Sequence, residues 1–328
     1  MATVFVIGSN SFSGASFVDF ALKQGVKVIG TSRSAEPIDA MLPYKWRNHG
    51  EFTFHQLDLN KDLQRITTLL LDTKPKYVVN FAAQSMVGES WKNPEDWYMT
   101  NVVSTVKLHD VLRKCNFLER YVHISTPEVY GSCSGFVDED FPFNPSTPYA
   151  VSRAAADMSL RTFHSAYNFP VVSTRAANVY GPGQQLYRII PRTILFILLG
   201  RKLQLHGGGV STRSFIHMAD VSDATWKIMQ YGHDGDTYHI STSEIISIRE
   251  LVQLICSKLN VHFDNHVEMV GERMGKDSAY HLDSTKLRTE LGWNDRVTLD
   301  QGLNECITWV QSNFESLKAS TYDYIHKP

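Results

Sequence analysis

Short apolar runs rich in β-branched and aromatic residues alternate with longer amphipathic stretches through the first half of the chain. Thr3–Ile7, Lys27–Thr31, Phe52–Gln56, Tyr77–Phe81, Tyr121–Ser125 and Val171–Arg175 predict strands. Between them, helical periodicity runs near Phe12–Gln24, Lys61–Leu71, Glu95–Lys114 and Pro148–Tyr167. Near-continuous apolar strands separated by helices predict a parallel sheet covered on both faces. The second half changes character. Gly181, Pro182, Gly183 and Gly207–Gly209 punctuate loops, and helical patterns return near Ser247–Leu259, Ser284–Leu291 and Leu299–Ser312. No internal repeat or low-complexity linker divides the chain. The expected architecture is α/β: a doubly wound parallel sheet with a smaller, mostly C-terminal lobe, and ligands in the crevice at the strands' carboxyl ends.

Composition narrows the function. A chain of 328 residues predicts roughly two domains, and 43% hydrophobic with 20% charged residues is globular and not disordered. Lys+Arg number 32 against Asp+Glu 34, a net charge of −2 that excludes nucleic-acid binding through bulk positive charge. The apolar stretch Ile194–Gly200 is far short of the ~20 residues that span a membrane, and the sequence opens without a basic, signal-like region. Cys115, Cys133, Cys256 and Cys306 lack CxxC spacing and predict reduced thiols in the cytoplasm. No metal is expected. There is no HExxH motif, and the pair His262 and His266 lies in a segment that reads as loop or strand. In a strand the two would stand about 13 Å apart.

Candidate chemistry begins where the first strand ends. Gly8-Ser9-Asn10-Ser11-Phe12-Ser13-Gly14 has GxxGxxG spacing between a strand and a helix, except that Ser11 takes the middle glycine's place. Free backbone N–H groups at such a helix start hold a pyrophosphate, so a dinucleotide is the expected ligand. After the second strand, a carboxylate would accept the adenosine ribose hydroxyls and repel a 2′-phosphate. The chain offers Ser32, Arg33 and Ser34 instead. Arg33 suits a phosphate, which favours NADP, with NAD as the alternative.

Two further motifs follow: Ser125-Thr126-Pro127-Glu128-Val129-Tyr130-Gly131 after the fifth strand, and Tyr149-Ala150-Val151-Ser152-Arg153 after a Pro-rich loop. With NFAAQSMV (80–87), Thr100–Asn101, RAANVYGPGQ (175–184), STRSFIHMAD (211–220) and ELGW (290–293), they carry a resemblance from Val4 to about Trp293. The chain resembles the extended short-chain dehydrogenases/reductases. Within them it is similar to the nucleoside-diphosphate-sugar 4,6-dehydratases of the dTDP-glucose and GDP-mannose types.

The resemblance implies a Rossmann-type dinucleotide-binding domain over residues 1–178 plus about 213–242. It implies a nucleotide-sugar-binding lobe over 179–212 and 243–328. It assigns Gly8, Ser11, Phe12, Gly14, Ser32, Arg33, Asp58, Leu59, Ala82, Tyr149 and Arg153 to a tightly retained NADP or NAD. Ser85, Met86, Asn178, Arg188, Arg213 and Arg273 are assigned to the sugar and its diphosphate, where arginine's bidentate bonding belongs. Met86 stands where the family often has histidine. Thr126 matches the hydroxyl that bonds the sugar 4-oxygen, and Tyr149 the base.

Tyr149 and Arg153, four residues apart, share a helical face if Pro148 opens the helix. A cation there lowers the phenol's pKa. The family has lysine at Arg153, and the two cations are not interchangeable. Glu128 discriminates between activities. Dehydratases carry an acid there, whereas related epimerases are small and polar. One carboxyl can take the C5 proton and protonate the departing C6 hydroxyl. Pro127 replaces the preceding Asp of the dTDP-glucose type, which the GDP-mannose type also lacks.

The expected activity is 4,6-dehydration of a nucleoside-diphosphate hexose. A 4-epimerase or 4-keto reductase on the same fold and a non-catalytic dinucleotide-binding protein remain the alternatives. The resemblance also implies a homodimer formed through the helices near Glu95–Lys114 and Pro148–Tyr167, where Ala154, Ala155 and Ala156 permit close approach, although they would equally suit burial against the sheet.

Overall fold

The computed structural model describes residues 3–47, 50–271 and 281–328. Seven strands form one parallel sheet: β1 (Thr3–Ile7), β2 (Lys27–Ser32), β3 (Phe52–Gln56), β4 (Tyr77–Asn80), β5 (Arg120–Ile124), β6 (Val171–Ala176) and β7 (Thr237–Ile240). Their spatial order is 7-6-5-4-1-2-3. Progression reverses at β1, where Val4 pairs with Val28 of β2 on one side and Tyr77 of β4 on the other. Connections from β1 and β4 leave in opposite senses there, which opens a crevice at the carboxyl ends.

The longer helices are α1 (Phe12–Lys23), α2 (Leu63–Thr73), α3 (Thr105–Leu112), α4 (Pro148–Tyr167), α5 (Ile189–Leu198), α6 (Met218–Tyr231), α7 (Ile248–Lys258) and α8 (Leu299–Ser312). Phe17, Ala21, Trp226 and Met229 from α1 and α6 cover one face of the sheet, against Val6, Val79 and Val122. Ile66, Leu70, Leu108, Leu112 and Leu160 cover the other, against Phe5, Val78 and Tyr121. A separate core joins α5, α7 and α8 through Ile194, Leu195, Leu251, Ile255, Leu303 and Val310.

The six expected strands are present within a residue of their bounds, and β7 adds a seventh at the edge. Its four residues, TYHI, are too short a run to stand out. Helix α5 is a short, mostly apolar run, IIPRTILFIL, with a proline in its first turn, and the sequence pattern predicts no helix there. The stretch 95–114 is not one α-helix: Pro94–Tyr98 is helical, Met99–Ser104 is a π-turn, and α3 follows. His262 and His266 flank a single helical turn, Phe263–His266, because Asn265 N–H returns to His262 O at 3.1 Å. Extended chain begins only at Val267.

The sheet also buries polar groups. The Asp157 carboxylate, on α4, accepts from Arg175 Nη2 at 2.8 Å and from Ser125 Oγ at 2.8 Å, and lies 3.5 Å from His123 Nε2. His123 is held well below its ordinary pKa, first by burial and then by the Arg153 and Arg175 charges. Burial lowers His217 to about 4, and burial with Arg175 lowers His239 to about 3. Each is therefore neutral in the fold, while the unfolded chain takes up protons below about pH 6.5. Their contribution is complete above that value and declines as pH falls toward the folded pKa values. Thermal melts taken from about pH 7 to about pH 5 should show falling stability. A melting temperature that rises over that interval would contradict this account.

Candidate active site

The loop after β1 fits a phosphate by close backbone approach. Gly8 has φ +82°, and a Cβ there would lie 2.7 Å from Ala82 N. At Gly14 a Cβ would lie 2.1 Å from Gly8 O, so both positions require glycine. Ser11 does not. With φ −71° and ψ 162° it is ordinary extended backbone, and its hydroxyl caps α1 by accepting from Gly14 N at 3.1 Å. The same hydroxyl donates to Gly8 O at 2.7 Å. Serine thus replaces the middle glycine by stabilising the turn it closes. Phe12 is buried beside it.

Asn10 joins this loop to the end of β2. Its N–H donates to Ser32 Oγ at 3.1 Å, and its amide donates to Ser34 O at 2.9 Å and Ala35 O at 3.1 Å. The contact spans over twenty residues, so no local pattern announces it. Asp58 uses a carboxylate oxygen on Asn60 N–H at 2.8 Å, forming a turn at the crevice wall. Leu59 is buried there, and Ala82 N–H donates to Asn80 Oδ1 at 3.0 Å.

Thr126 caps the short 3-10 turn Pro127–Tyr130, accepting from Glu128 N at 3.4 Å. Pro127 occupies the first position of that turn, where no N–H is required, and holds Thr126 extended at φ −148°. The turn brings half-buried Glu128 toward Tyr149. On α4, Thr147 caps the helix by accepting from Ala150 N at 3.1 Å, with Pro148 next. Tyr149 and Arg153 consequently share its buried face, 8% and 2% exposed.

The Tyr149 hydroxyl lies close enough to Thr126 for the threonine to act on its pKa. Burial and then the Glu128 charge raise its pKa, while Arg153, Thr126 and Arg188 pull it down. The expected lowering by Arg153 is present but outweighed. The reason is where the guanidinium goes: Arg153 Nη2 donates to Ile124 O at the end of β5 and contacts His123 Nε2 at 3.4 Å. Its buried Nε has no hydrogen-bond partner among the described residues.

Asn101 and Gln84 hold the two sides together, although sequence reasoning gave neither a role. On the π-turn, Asn101 accepts from Gln84 N at 2.9 Å. Its amide donates to Gln84 O at 3.0 Å and to Ser152 Oγ at 2.9 Å. It therefore fixes the loop after β4 to the helix that carries Tyr149. The Thr100–Asn101 motif was the available signal. A π-turn at such a place is common near functional sites.

The lobe side is assembled by strand pairing. Asn178–Tyr180 runs parallel to Phe215–His217, and Asn178 N donates to Ser214 O at 3.0 Å. Buried Arg213 lies one residue farther back and donates to Thr212 O at 2.7 Å. Arg188 begins α5 close enough to Tyr149 for its charge to act there. Ser85 is exposed and Met86 half-buried just beyond Gln84. Arg273 lies outside the described residues.

Three other ligand-type groups meet elsewhere. His233, Asp236 and Glu290 bring ligand atoms within 4.8 Å near the start of β7. Lys286 already pairs with Asp236 at 2.9 Å, and Tyr238 OH donates to Glu290 at 3.0 Å.

The chain has relatives with this geometry. A family model described as GDP-mannose 4,6 dehydratase matches residues 5–306. A dTDP-glucose 4,6-dehydratase of Xanthomonas campestris is 31% identical over 331 residues, covering 95% of this chain and 94% of that protein. The human dTDP-D-glucose 4,6-dehydratase is 35% identical over 257 residues, 76% of this chain and 73% of that protein. The Streptomyces venezuelae dTDP-glucose 4,6-dehydratase DesIV, solved with NAD bound, is similar at a TM-score of 0.88 and 30% identity. That match covers 96% of this chain and 98% of the other.

The capping role of Ser11 separates two substitutions. Ser11→Ala should cost about 1 kcal/mol in denaturant unfolding, and Ser11→Gly only a few tenths. Equal losses would show that the hydroxyl does not cap α1.

Proposed function

Because the chain belongs to the GDP-mannose 4,6 dehydratase family, we propose that it is a lyase that removes water from a nucleoside-diphosphate hexose to give the 4-keto-6-deoxy sugar. The observation that carries this reading is a carboxylate, Glu128, on the turn that Thr126 caps, close enough to the buried phenol of Tyr149 for its charge to act there.

The crevice fits a dinucleotide. Gly8 and Gly14 let the loop after β1 pack against the loop after β4 and against its own turn, at the start of α1 where free N–H groups suit a pyrophosphate. Gly8, Ser11, Phe12, Gly14, Ser32, Arg33, Asp58, Leu59, Ala82, Tyr149 and Arg153 would hold it. Bound there, a nicotinamide dinucleotide supplies reversible two-electron exchange with the sugar. NADP is the form proposed, supported by the absence of a carboxylate at residues 32–34 and by Arg33, with NAD as the alternative. It is retained through turnover, since the redox change closes within one cycle.

The chain's own residues handle protons and position. Thr126 orients the sugar 4-oxygen, and Tyr149 takes its proton as C4 is oxidised. A phenol held above its ordinary pKa is protonated when the site is empty, so the proton must move on as chemistry begins. With C4 a ketone, the C5 hydrogen is acidic. Glu128 removes it and then protonates the C6 hydroxyl, which leaves as water to give a 4-keto-5,6-ene. Return of the two electrons with hydrogen at C6, and of a proton from solvent at C5, would complete the 4-keto-6-deoxy sugar. Asn178, Arg188, Arg213 and Arg273 bind the diphosphate and sugar, with Ser85 and Met86 lining the hexose side.

A homodimer is also proposed. Tyr98, Met99 and Val103, with Val151 and Met158 of α4, are exposed apolar side chains on the two helical segments that would pair. Ala154 and Ala156, expected at that interface, are instead buried within the chain. Cys115, Cys256 and Cys306 form no disulfide, which supports a cytoplasmic setting.

Incubation with a panel of nucleotide hexoses, followed by mass, should show loss of one water from at least one member. An isomer of unchanged mass would select an epimerase, and silence across the panel a non-catalytic protein. On the active sugar, Glu128→Gln should slow dehydration by about two to four orders of magnitude. Wild-type turnover by that variant would remove Glu128 from the chemistry. Light scattering should give a dimer that Met158→Arg converts to monomer, and a monomeric parent protein would exclude the interface.

A further inference from the structure

The segment Tyr324–Lys327 lies across the mouth of the crevice. Lys327 O accepts from Arg33 Nη1 at 2.8 Å and from Gln84 Nε2 at 2.6 Å. Arg33 follows β2 and Gln84 follows β4, the two strands that flank β1. One main-chain carbonyl thus bridges the space above the carboxyl end of β1, where the glycine loop begins. Lys327 Nζ donates to Ser34 Oγ at 3.0 Å on the same side. Gln84 is 1% exposed, so its amide is buried and directed at this carbonyl.

The segment has its own seat. The His326 ring stacks on Trp97 with centroids 5.1 Å apart and planes at 10°, and its Nε2 lies 2.6 Å from Asp96 Oδ2. Tyr324 meets Tyr187 edge-on at 5.5 Å. Immediately before it, Arg192 holds Tyr322 O at 3.3 Å and Asp323 at 3.1 Å. The chain is therefore anchored to α5 up to Asp323, and 324–327 can leave without disturbing that core.

We propose that Tyr324–Lys327 is a displaceable plug that competes with the dinucleotide for Arg33 and for the crevice mouth beside Gln84. This rests on the crevice being the dinucleotide site. The carbonyl uses Arg33, the donor a 2′-phosphate would use, and the segment spans the crevice mouth between Arg33 and Gln84, so plug and ligand exclude each other. Tethering keeps the plug at high local concentration. Apparent affinity is then reduced by the fraction of molecules whose crevice is open.

The test uses protein freed of cofactor and titrated with NADP and NAD by calorimetry. Three forms are compared: the full chain, a chain ending at Asp323, and full-length His326→Ala. The shortened chain should bind the dinucleotide about tenfold more tightly, with His326→Ala between the two. Hydrogen exchange at the amides of 324–327 in the full chain should rise when the dinucleotide is added. Equal or weaker binding by the shortened chain, or protection of 324–327 by the ligand, would overturn the plug while leaving the cofactor reading intact. Binding by none of the three forms would overturn both.

Discussion

The carboxylate of Asp157 is the point on which the arrangement turns. It ties α4 to Arg175 on β6 and to Ser125 just past β5, with His123 alongside. Arg175 continues to the hydroxyl of Tyr130, and Tyr130 meets His239 of β7 at 2.7 Å. One connected polar line therefore runs beneath the site and crosses three strands. Asp157 lies two helical turns from Tyr149, about 12 Å along α4. Fixing the helix there sets where its first turn places the phenol relative to Thr126. Removing one partner of such a buried pair leaves the other charge uncompensated, typically 3–5 kcal/mol, so this part of the sheet tolerates little change.

Arg153 draws on the same network, and this is where the chain departs from its family's lysine. A lysine ammonium is a compact point charge on a flexible stem, whereas a guanidinium is planar and carries several donors. Arg153 lends a donor to Ile124 O, and its Nε is buried without a hydrogen-bond partner among the described residues. Its charge remains close enough to lower the Tyr149 pKa, yet burial and Glu128 outweigh it. Placing a base and a carboxylate together serves elimination but costs phenolate character. Pro127 is accommodated because it opens a 3-10 turn in which its missing N–H is not needed.

Much of this was legible in the sequence. Apolar strands alternating with amphipathic helices give the sheet and its two covered faces, since burial on both sides removes polar positions from the strands. Thr147-Pro148 marks the start of α4, and with it the shared face of Tyr149 and Arg153. What escaped depends on contacts far apart in sequence. Asn10 with Ser34, Gln84 with Asn101, and Asn101 with Ser152 form only once the sheet is assembled, and no periodicity encodes them. The π-turn at Met99–Ser104 reads as plain helix because its side chains keep nearly helical spacing. Helix α5 is short and opens on Ile-Ile-Pro, and β7 is too short to register. The alanines of α4 illustrate a different limit: small residues permit close packing without saying which surface they pack against.

The account's central claim is that Glu128 removes the C5 proton of a sugar oxidised at C4 with Tyr149 and Thr126 in attendance. Turnover in deuterated water, with the product analysed by nuclear magnetic resonance, tests it most directly. A 4-keto-6-deoxy product carrying solvent deuterium at C5, and a Glu128→Gln variant whose rate of incorporation falls by about two to four orders of magnitude, is the predicted result. A product without deuterium at C5, or incorporation undiminished in the variant, would contradict it.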